Sequence, residues 1–288
     1  MSHMTSARKK LEEDCGDISE DWVCQLSTGV SMQELEEKRL LRELRRKLPK
    51  LLRKTITSLS SLFQSNSMIG RILLPAEISR GLRIRNTRYS KITLWGTYIR
   101  WATLCPYAYY LIMSGRIPLE TSTPYIVSEV KELHDKIVDI TWNTIYKLMN
   151  KPKPIMIFAE RAPKYEYNVQ LREERIIYNI TVEPDIYALL NVGNRKVANL
   201  LLEITLRSKR TITRAWLTSY MIGAYLYNLQ PTATILITPE EIGAIVLSDK
   251  LLREFMAVFK KRKLEAKKVE KWLCNNCDLR LLCNFAES

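Results

Sequence analysis

Two β-rich runs separated by a four-residue turn constrain this chain of 288 residues more than any other feature. Arg175 to Leu189 (RIIYNITVEPDIYAL) and Val197 to Leu206 (VANLLLEITL) flank Asn191-Val192-Gly193-Asn194. Asn and Gly tolerate the left-handed backbone that a tight hairpin turn requires, so the pair reads as antiparallel neighbours in a sheet. Helical patterns surround it: an aromatic stretch from Tyr98 through Tyr110, a second from Ser128 to Met149 that ends before Lys151-Pro152-Lys153-Pro154, and a third from about Ile212 to Leu229. Short strands follow at Ala233 to Thr238 and Ala244 to Ser248, around the turn at Pro239 to Gly243. The order helices, hairpin, helix, strands, helix predicts an α/β or α+β domain with a central mixed sheet flanked by helices. No internal repeat is visible.

Charge narrows the function. The chain has 45 Lys and Arg against 31 Asp and Glu, a net charge of +14, which points to an anionic partner. With 46% hydrophobic residues it can bury one large core, with or without a small appendage. No apolar run reaches the roughly 18 residues a membrane span needs, and the N-terminus is polar and soon acidic, unlike a signal peptide. A cytoplasmic protein without a membrane partner is therefore expected. Abundant Ile, Leu, Lys, Arg and Glu with only nine Gly suit a thermophile. His3, inside the opening Met-Ser-His-Met, is set aside.

The basic excess is concentrated in two blocks. After an acidic stretch from Glu12 to Glu37, which holds Cys15 and Cys24, Lys38 to Lys54 contains nine basic residues and one acid. Leu40, Leu41, Leu44, Leu48, Leu51 and Leu52 recur there at helical spacing, giving a basic amphipathic helix broken or kinked at Pro49. It is either a solvated face packed by its leucines or an arm for phosphate or a partner. The Ser- and Thr-rich Thr57 to Ser67 is the best linker, so residues 1–69 read as an N-terminal helical extension and 70–288 as the main domain. The second block lies in a helix from Lys250 to Lys271, with Lys260, Lys261, Arg262 and Lys263 as the candidate phosphate contacts should the anionic partner be DNA.

Three of the six cysteines fall in the last fifteen residues, as Cys274-x2-Cys277-x5-Cys283. Two residues between thiolates allow a tight turn to aim both sulfurs at one metal centre. Three ligands leave a shell incomplete. The best fourth is Cys105 in LCPYAYYL, with Cys15 and Cys24 as substitutes, and the spacing leaves zinc and an iron-sulfur cluster equally open.

Carboxylates supply a second constellation. Glu203 follows Leu200, Leu201 and Leu202, and strand alternation places it with Thr205 on the face opposite Ile204. A carboxylate in so apolar a strand needs a cation or metal partner. Asp185 follows Val182-Glu183-Pro184, and His134 sits in the helical KELHDKIVDITW. Convergence of the three would make a divalent-cation site for phosphodiester hydrolysis. The plainer reading of His134 is a satisfied helix residue.

The order Cys105-Pro106, His134, Asp185, Glu203-Ile204-Thr205, Tyr225 in MIGAYLYNL, then Cys274, Cys277 and Cys283, resembles RecB-type nucleases with an iron-sulfur clamp. The CRISPR-associated branch of that family is the most similar, over roughly Ile92 to Cys283. The resemblance implies a restriction-endonuclease-like PD-(D/E)xK core. It implies a 4Fe-4S cluster on Cys105, Cys274, Cys277 and Cys283, and Mn2+ or Mg2+ on His134, Asp185 and Glu203. It also implies action on single-stranded DNA or duplex ends alongside the CRISPR integrase and adaptation proteins. Two positions depart from the family pattern. Thr205 stands where the family has the Lys of Glu-x-Lys, and Met221 stands where it has the Gln of Gln-x-x-x-Tyr, with Tyr225 as the Tyr. A hydroxyl brings no positive charge to the phosphate. The expectation is therefore a metal-competent site impaired in catalysis, with Lys196, Arg207 and Lys209 as candidates for a displaced cation. An active metal-dependent exonuclease and a zinc-stapled nucleic-acid-binding or scaffold protein are the alternatives.

Overall fold

The computed structural model describes residues 32–65, 77–80, 89–114, 127–152, 154–206, 214–239, 241–260 and 274. The chain divides into two compact units, Met1–Lys47 and Leu48–Ser288.

Helix α1 runs from Met32 to Ser65 without interruption at Pro49. Its buried stripe, Leu41, Leu44, Leu48, Leu52, Ile56, Leu59 and Phe63, steps by three and four residues as an amphipathic helix requires. Arg39, Arg42, Arg46, Lys50 and Arg53 step in the same way on exposed positions. The expected linker is thus helical as far as Ser65. The hydroxyls that suggested a loop bond back to carbonyls one turn earlier, Thr57 Oγ1 to Arg53 O at 2.9 Å and Ser61 Oγ to Thr57 O at 3.1 Å, while Leu59 and Phe63 anchor the turn.

The strands form two mixed sheets where a single central one was expected. The first has the order β1-β4-β5-β2, built from β1 (Ile78–Ser79), β2 (Ser90–Trp95), β4 (Tyr165–Leu171) and β5 (Ile176–Val182). The second has the order β3-β6-β7-β8-β9, built from β3 (Met156–Arg161), β6 (Ile186–Asn191), β7 (Val197–Ile204), β8 (Thr232–Ile237) and β9 (Ile242–Val246). The architecture is a mixed α/β one with helices flanking both sheets. The run from Arg175 to Leu189 is not one strand, because Glu183 and Pro184 interrupt it and the chain passes from the first sheet to the second. Proline cannot donate to a ladder, so the break falls there. The predicted hairpin is present as β6–β7, with Ile186 opposite Leu202. Gly193, Asn194 and Arg195 all take positive φ in its turn, and the Gly193 N–H donates to Asn191 Oδ1 at 3.0 Å.

Parallel pairs hold each sheet to its helices: β2 with β5, and β7 with β8 through the crossover helix α5 (Arg214–Asn228). Helix α5 is buried from Ala215 to Leu226, as befits a helix touching β4, β5, β7 and β8 as well as α2 (Gly96–Leu104) and α6 (Asp249–Lys260). A Cβ at Gly223 would stand 2.8 Å from Val182 Cγ2 and 3.0 Å from Tyr165 Cβ, so only glycine lets α5 approach the first sheet this closely. Helix α4 (Val127–Met149) packs on β3 and β7 through Ile137, Val138, Thr141, Ile145 and Leu148. Among the described residues no helix is long and apolar enough to cross a membrane.

Candidate functional site

The β6–β7 register builds the site. One step beyond the Ile186–Leu202 pair, Asp185 comes opposite Glu203, in the short break that Pro184 creates. Asp185 is fixed on several sides: its Oδ2 accepts from the Ile204 N–H at 2.6 Å, and its carbonyl accepts from the Ala162 N–H at 2.9 Å. His134 reaches it from α4, with Nε2 at 3.3 Å from Asp185 Oδ1 and Nδ1 at 3.3 Å from Asp135 Oδ1. The hydrogen bond to Asp185 pushes the His134 pKa up to about 9, so the imidazole is a cation at neutral pH. His134 lies one turn before Ile137 and Val138, so the buried stripe of α4 points it at the end of β7.

Glu203 is only 7% exposed, and its Oε2 is buried with no hydrogen-bond partner. Burial raises its pKa well above the ordinary carboxylate range, and the charge of Asp185 pushes the same way. A hydrogen bond from the Asp185 main chain and the charge of Arg100 oppose this. Two neighbouring carboxylates in a protein interior cannot both carry unscreened charge without cost.

Arg100 and Tyr220 belong to this site and were not anticipated from sequence. Arg100 on α2 brings positive charge to Glu203 and lies 5.7 Å from the Trp216 ring centroid. Tyr220 on α5 accepts from Trp216 Nε1 at 3.1 Å, and burial, with the charge of Glu203 next, raises its pKa. A signal for Arg100 did exist, since it is the only charged residue between Lys91 and Arg116. Beside Asp185 opens a pocket of about 220 Å³, lined among others by Trp95, Gly96, Thr181, Glu183 and Tyr220.

The other anticipated residues separate. Thr205 follows the last residue of β7, is half-buried, and donates its N–H to Ile237 O at 3.0 Å. Tyr225 is buried in the hydrophobic core and does not line the pocket; Tyr220 is the α5 tyrosine that does. Lys196 stands at the hairpin turn before β7, about 23 Å from Glu203 at the usual strand rise, too far to serve the same phosphate. Arg207 and Lys209 lie outside the described residues. Cys105 is buried at the break between α2 and α3 (Pro106–Met113), where its carbonyl accepts from the Tyr109 N–H at 3.1 Å. Cys274 is half-buried, and among the described residues no disulfide joins it to Cys105. Cys15, Cys24, Cys277 and Cys283 lie outside the described residues, as do Lys261, Arg262 and Lys263. Lys260 is the exposed last residue of α6.

Among the described residues no three His, Cys, Asp or Glu side chains form a group that could hold a metal ion. What suits a cation is narrower: an Asp–Glu pair at the end of a buried strand, one oxygen of which lacks any partner. No protein-family model matches the chain, and no curated protein does. Among solved structures, the crystal structure of SSO0001 aligns over 67% of this chain and 86% of its own, at 15% sequence identity and a TM-score of 0.43. That likeness carries nothing about function.

Proposed function

We propose that this chain is a DNA-binding protein of the RecB-like nuclease type, with a PD-(D/E)xK core in which Asp185 and Glu203 would hold Mn2+ or Mg2+, joined by His134 once it gives up its proton. Hydrolysis is slowed by Thr205, which stands where a lysine would be needed. The observation that carries this reading is the buried Glu203 Oε2, left without a partner beside Asp185. A divalent cation bound there would polarise a phosphate and lower the pKa of water. The chain's own residues do the rest. The Ile204 N–H and His134 fix the Asp185 carboxylate, burial keeps Glu203 out of water, and Arg100 offsets part of the negative charge. The Thr205 hydroxyl can orient water by hydrogen bonding but leaves negative charge on the phosphate unopposed.

In the same reading Cys105 joins Cys274, Cys277 and Cys283 around a 4Fe-4S cluster that staples the chain end to the domain. The exposed basic positions of α1 and the Lys260–Lys263 block track DNA phosphates. The biological setting is end processing for CRISPR spacer acquisition, beside an integrase.

Anaerobic purification should give a brown protein with iron and sulfide, and a colourless protein holding stoichiometric zinc would replace the cluster with a zinc staple. Labelled single-stranded DNA with Mn2+ should bind and be cut slowly, with cutting lost in Asp185→Asn and raised in Thr205→Lys. Fast cutting by the wild type would remove the claim of impairment, and absence of DNA binding would remove the reading itself. Each neutralised phosphate contact should lower the slope of log affinity against log salt by about 0.9 for duplex DNA. Neutralising Lys260 to Lys263, and separately Arg42, Arg46, Lys50 and Arg53, tests the two basic blocks.

A further inference from the structure

Among the exposed large hydrophobic side chains of the described residues, Trp95, 42% exposed at the last position of β2, is the one that lines the same pocket as Asp185. Its placement is rigid. Trp95 pairs with Thr181 in the parallel β2–β5 ladder, and the next residue is Gly96, where a Cβ would stand 2.7 Å from Val182 Cγ1 and 3.0 Å from both Ser219 Oγ and Tyr220 Cε1. The chain is therefore clamped immediately after the ring. Lys164, on the turn between β3 and β4, holds its ammonium 5.4 Å from the ring centroid, with the exposed Glu166 carboxylate 3.8 Å away. The rim thus combines a fixed aromatic surface, a long flexible cation and, within the same pocket, the carboxylate of the proposed metal site.

We propose that Trp95 is a stacking platform for an unpaired nucleobase, with Lys164 moving from the ring to the adjoining phosphate, and that these two residues give the site its discrimination between unpaired and intact duplex DNA. This rests on the reading of the pocket as a phosphodiester site and names the residues that read strandedness there. A base inside a duplex has both faces occupied by its neighbours and cannot use the ring; an unpaired base can. Stacking on an aromatic side chain tolerates any base, so selection is for strandedness and not for sequence. The lysine contributes a point charge, which suits a phosphate whose position varies from one nucleotide to the next.

The test is equilibrium binding of a labelled oligothymidylate and of a closed-ended hairpin duplex, both in chelator, so that cleavage and added metal play no part. Trp95→Leu should weaken the oligothymidylate complex on the order of tenfold to a hundredfold, the range for loss of one stacked base, and leave the duplex complex within about twofold. Trp95→Tyr should retain most single-strand affinity, and Lys164→Ala should lower the salt slope on single strands by about 0.7. Thermal melts of Trp95→Leu and Trp95→Tyr identify any loss of fold, and the tyrosine variant carries the test should leucine unfold the protein. Equal binding of single strands by wild type and Trp95→Leu, or equal losses for both DNA forms, would overturn the inference while leaving the metal-site reading intact. Tryptophan-dependent binding in a protein whose Asp185→Asn variant takes up Mn2+ as the wild type does would keep the platform and overturn the metal site. A wild type that binds neither DNA would overturn both.

Discussion

The two ends of β7 are made of the same strand, equally buried, and treat their polar residues in opposite ways. At the hairpin end Asn199 is fully buried and fully engaged: its Oδ1 accepts from Tyr187 OH and Asn228 Nδ2, both at 3.0 Å, and its Nδ2 lies 2.9 Å from Asn228 Oδ1, 2.9 Å from Thr232 Oγ1 and 3.1 Å from Ala224 O. At the other end Glu203 keeps a buried oxygen with no partner, beside a second carboxylate. A satisfied buried network fixes the position of a strand, and an unsatisfied one persists only where something else requires it. Under the proposed function, the difference sets a structural hairpin end against a carboxyl end kept for a cation. It also places the candidate chemistry at the strand ends where β2, β5 and β7 deliver Trp95, Thr181 and Glu203.

The largest effect should come from breaking the satisfied end. Asn199→Leu keeps the approximate volume but strands Tyr187 OH, both polar groups of Asn228 and Thr232 Oγ1 in the interior. Urea denaturation should show a loss of about 3 kcal/mol or more, since each buried orphan costs roughly 1–3 kcal/mol. Cation uptake at the far end should persist in the folded protein. The opposite sign is expected at Glu203. Glu203→Gln keeps the shape and removes a buried carboxyl whose raised pKa costs the fold stability at neutral pH, so stability should rise by about 1 kcal/mol while Mn2+ binding, followed by calorimetry, is lost. A clear destabilisation by Glu203→Gln would make Glu203 a structural residue like Asn199, and the contrast between the two ends would disappear.

The sequence disclosed these two ends unequally. Glu203 was legible because a carboxylate after three leucines contradicts its surroundings, and the contradiction is local. Asn199 sits in the same apolar run, yet its partners come from β6, α5 and β8, and nothing within five residues of it announces them. The hairpin, α4, α5, β8 and β9 were legible from turn residues and periodicity alone. The separation into two sheets was not, since the parallel β2–β5 pair joins residues some eighty positions apart, and only the Pro184 break hints that β5 and β6 belong to different layers. Strand β3 is mostly exposed and β4 carries a charge at an outward position, so neither shows the continuous apolar run that identified β7. Arg100 and Tyr220 depend on the rotation of two helices about their axes, which packing decides and periodicity does not. Asp185 and His134 were anticipated from residue type and order, and the contact between them is a property of the fold.

The smallest predicted effect is the most discriminating for the network itself. Tyr187→Phe removes one hydroxyl that donates to Asn199 Oδ1 at 3.0 Å and accepts from Asn228 Nδ2 at 3.1 Å. Asn199 Oδ1 keeps its second donor from Asn228, so no acceptor there is left bare, and the loss should be about 1 kcal/mol, one ordinary buried hydrogen bond. Asn228→Ala alone should cost more, because it leaves both the Asn199 amide and the Tyr187 hydroxyl short. If the three side chains act as one unit, the double variant should cost less than the sum of the singles, with a coupling of about 1 kcal/mol by a denaturation cycle. Strict additivity would mean that Tyr187 is held by its ring contacts with Phe158 and Tyr165, 6.0 and 5.9 Å between centroids, and that the hairpin end of β7 is secured by Asn199 and Asn228 without it.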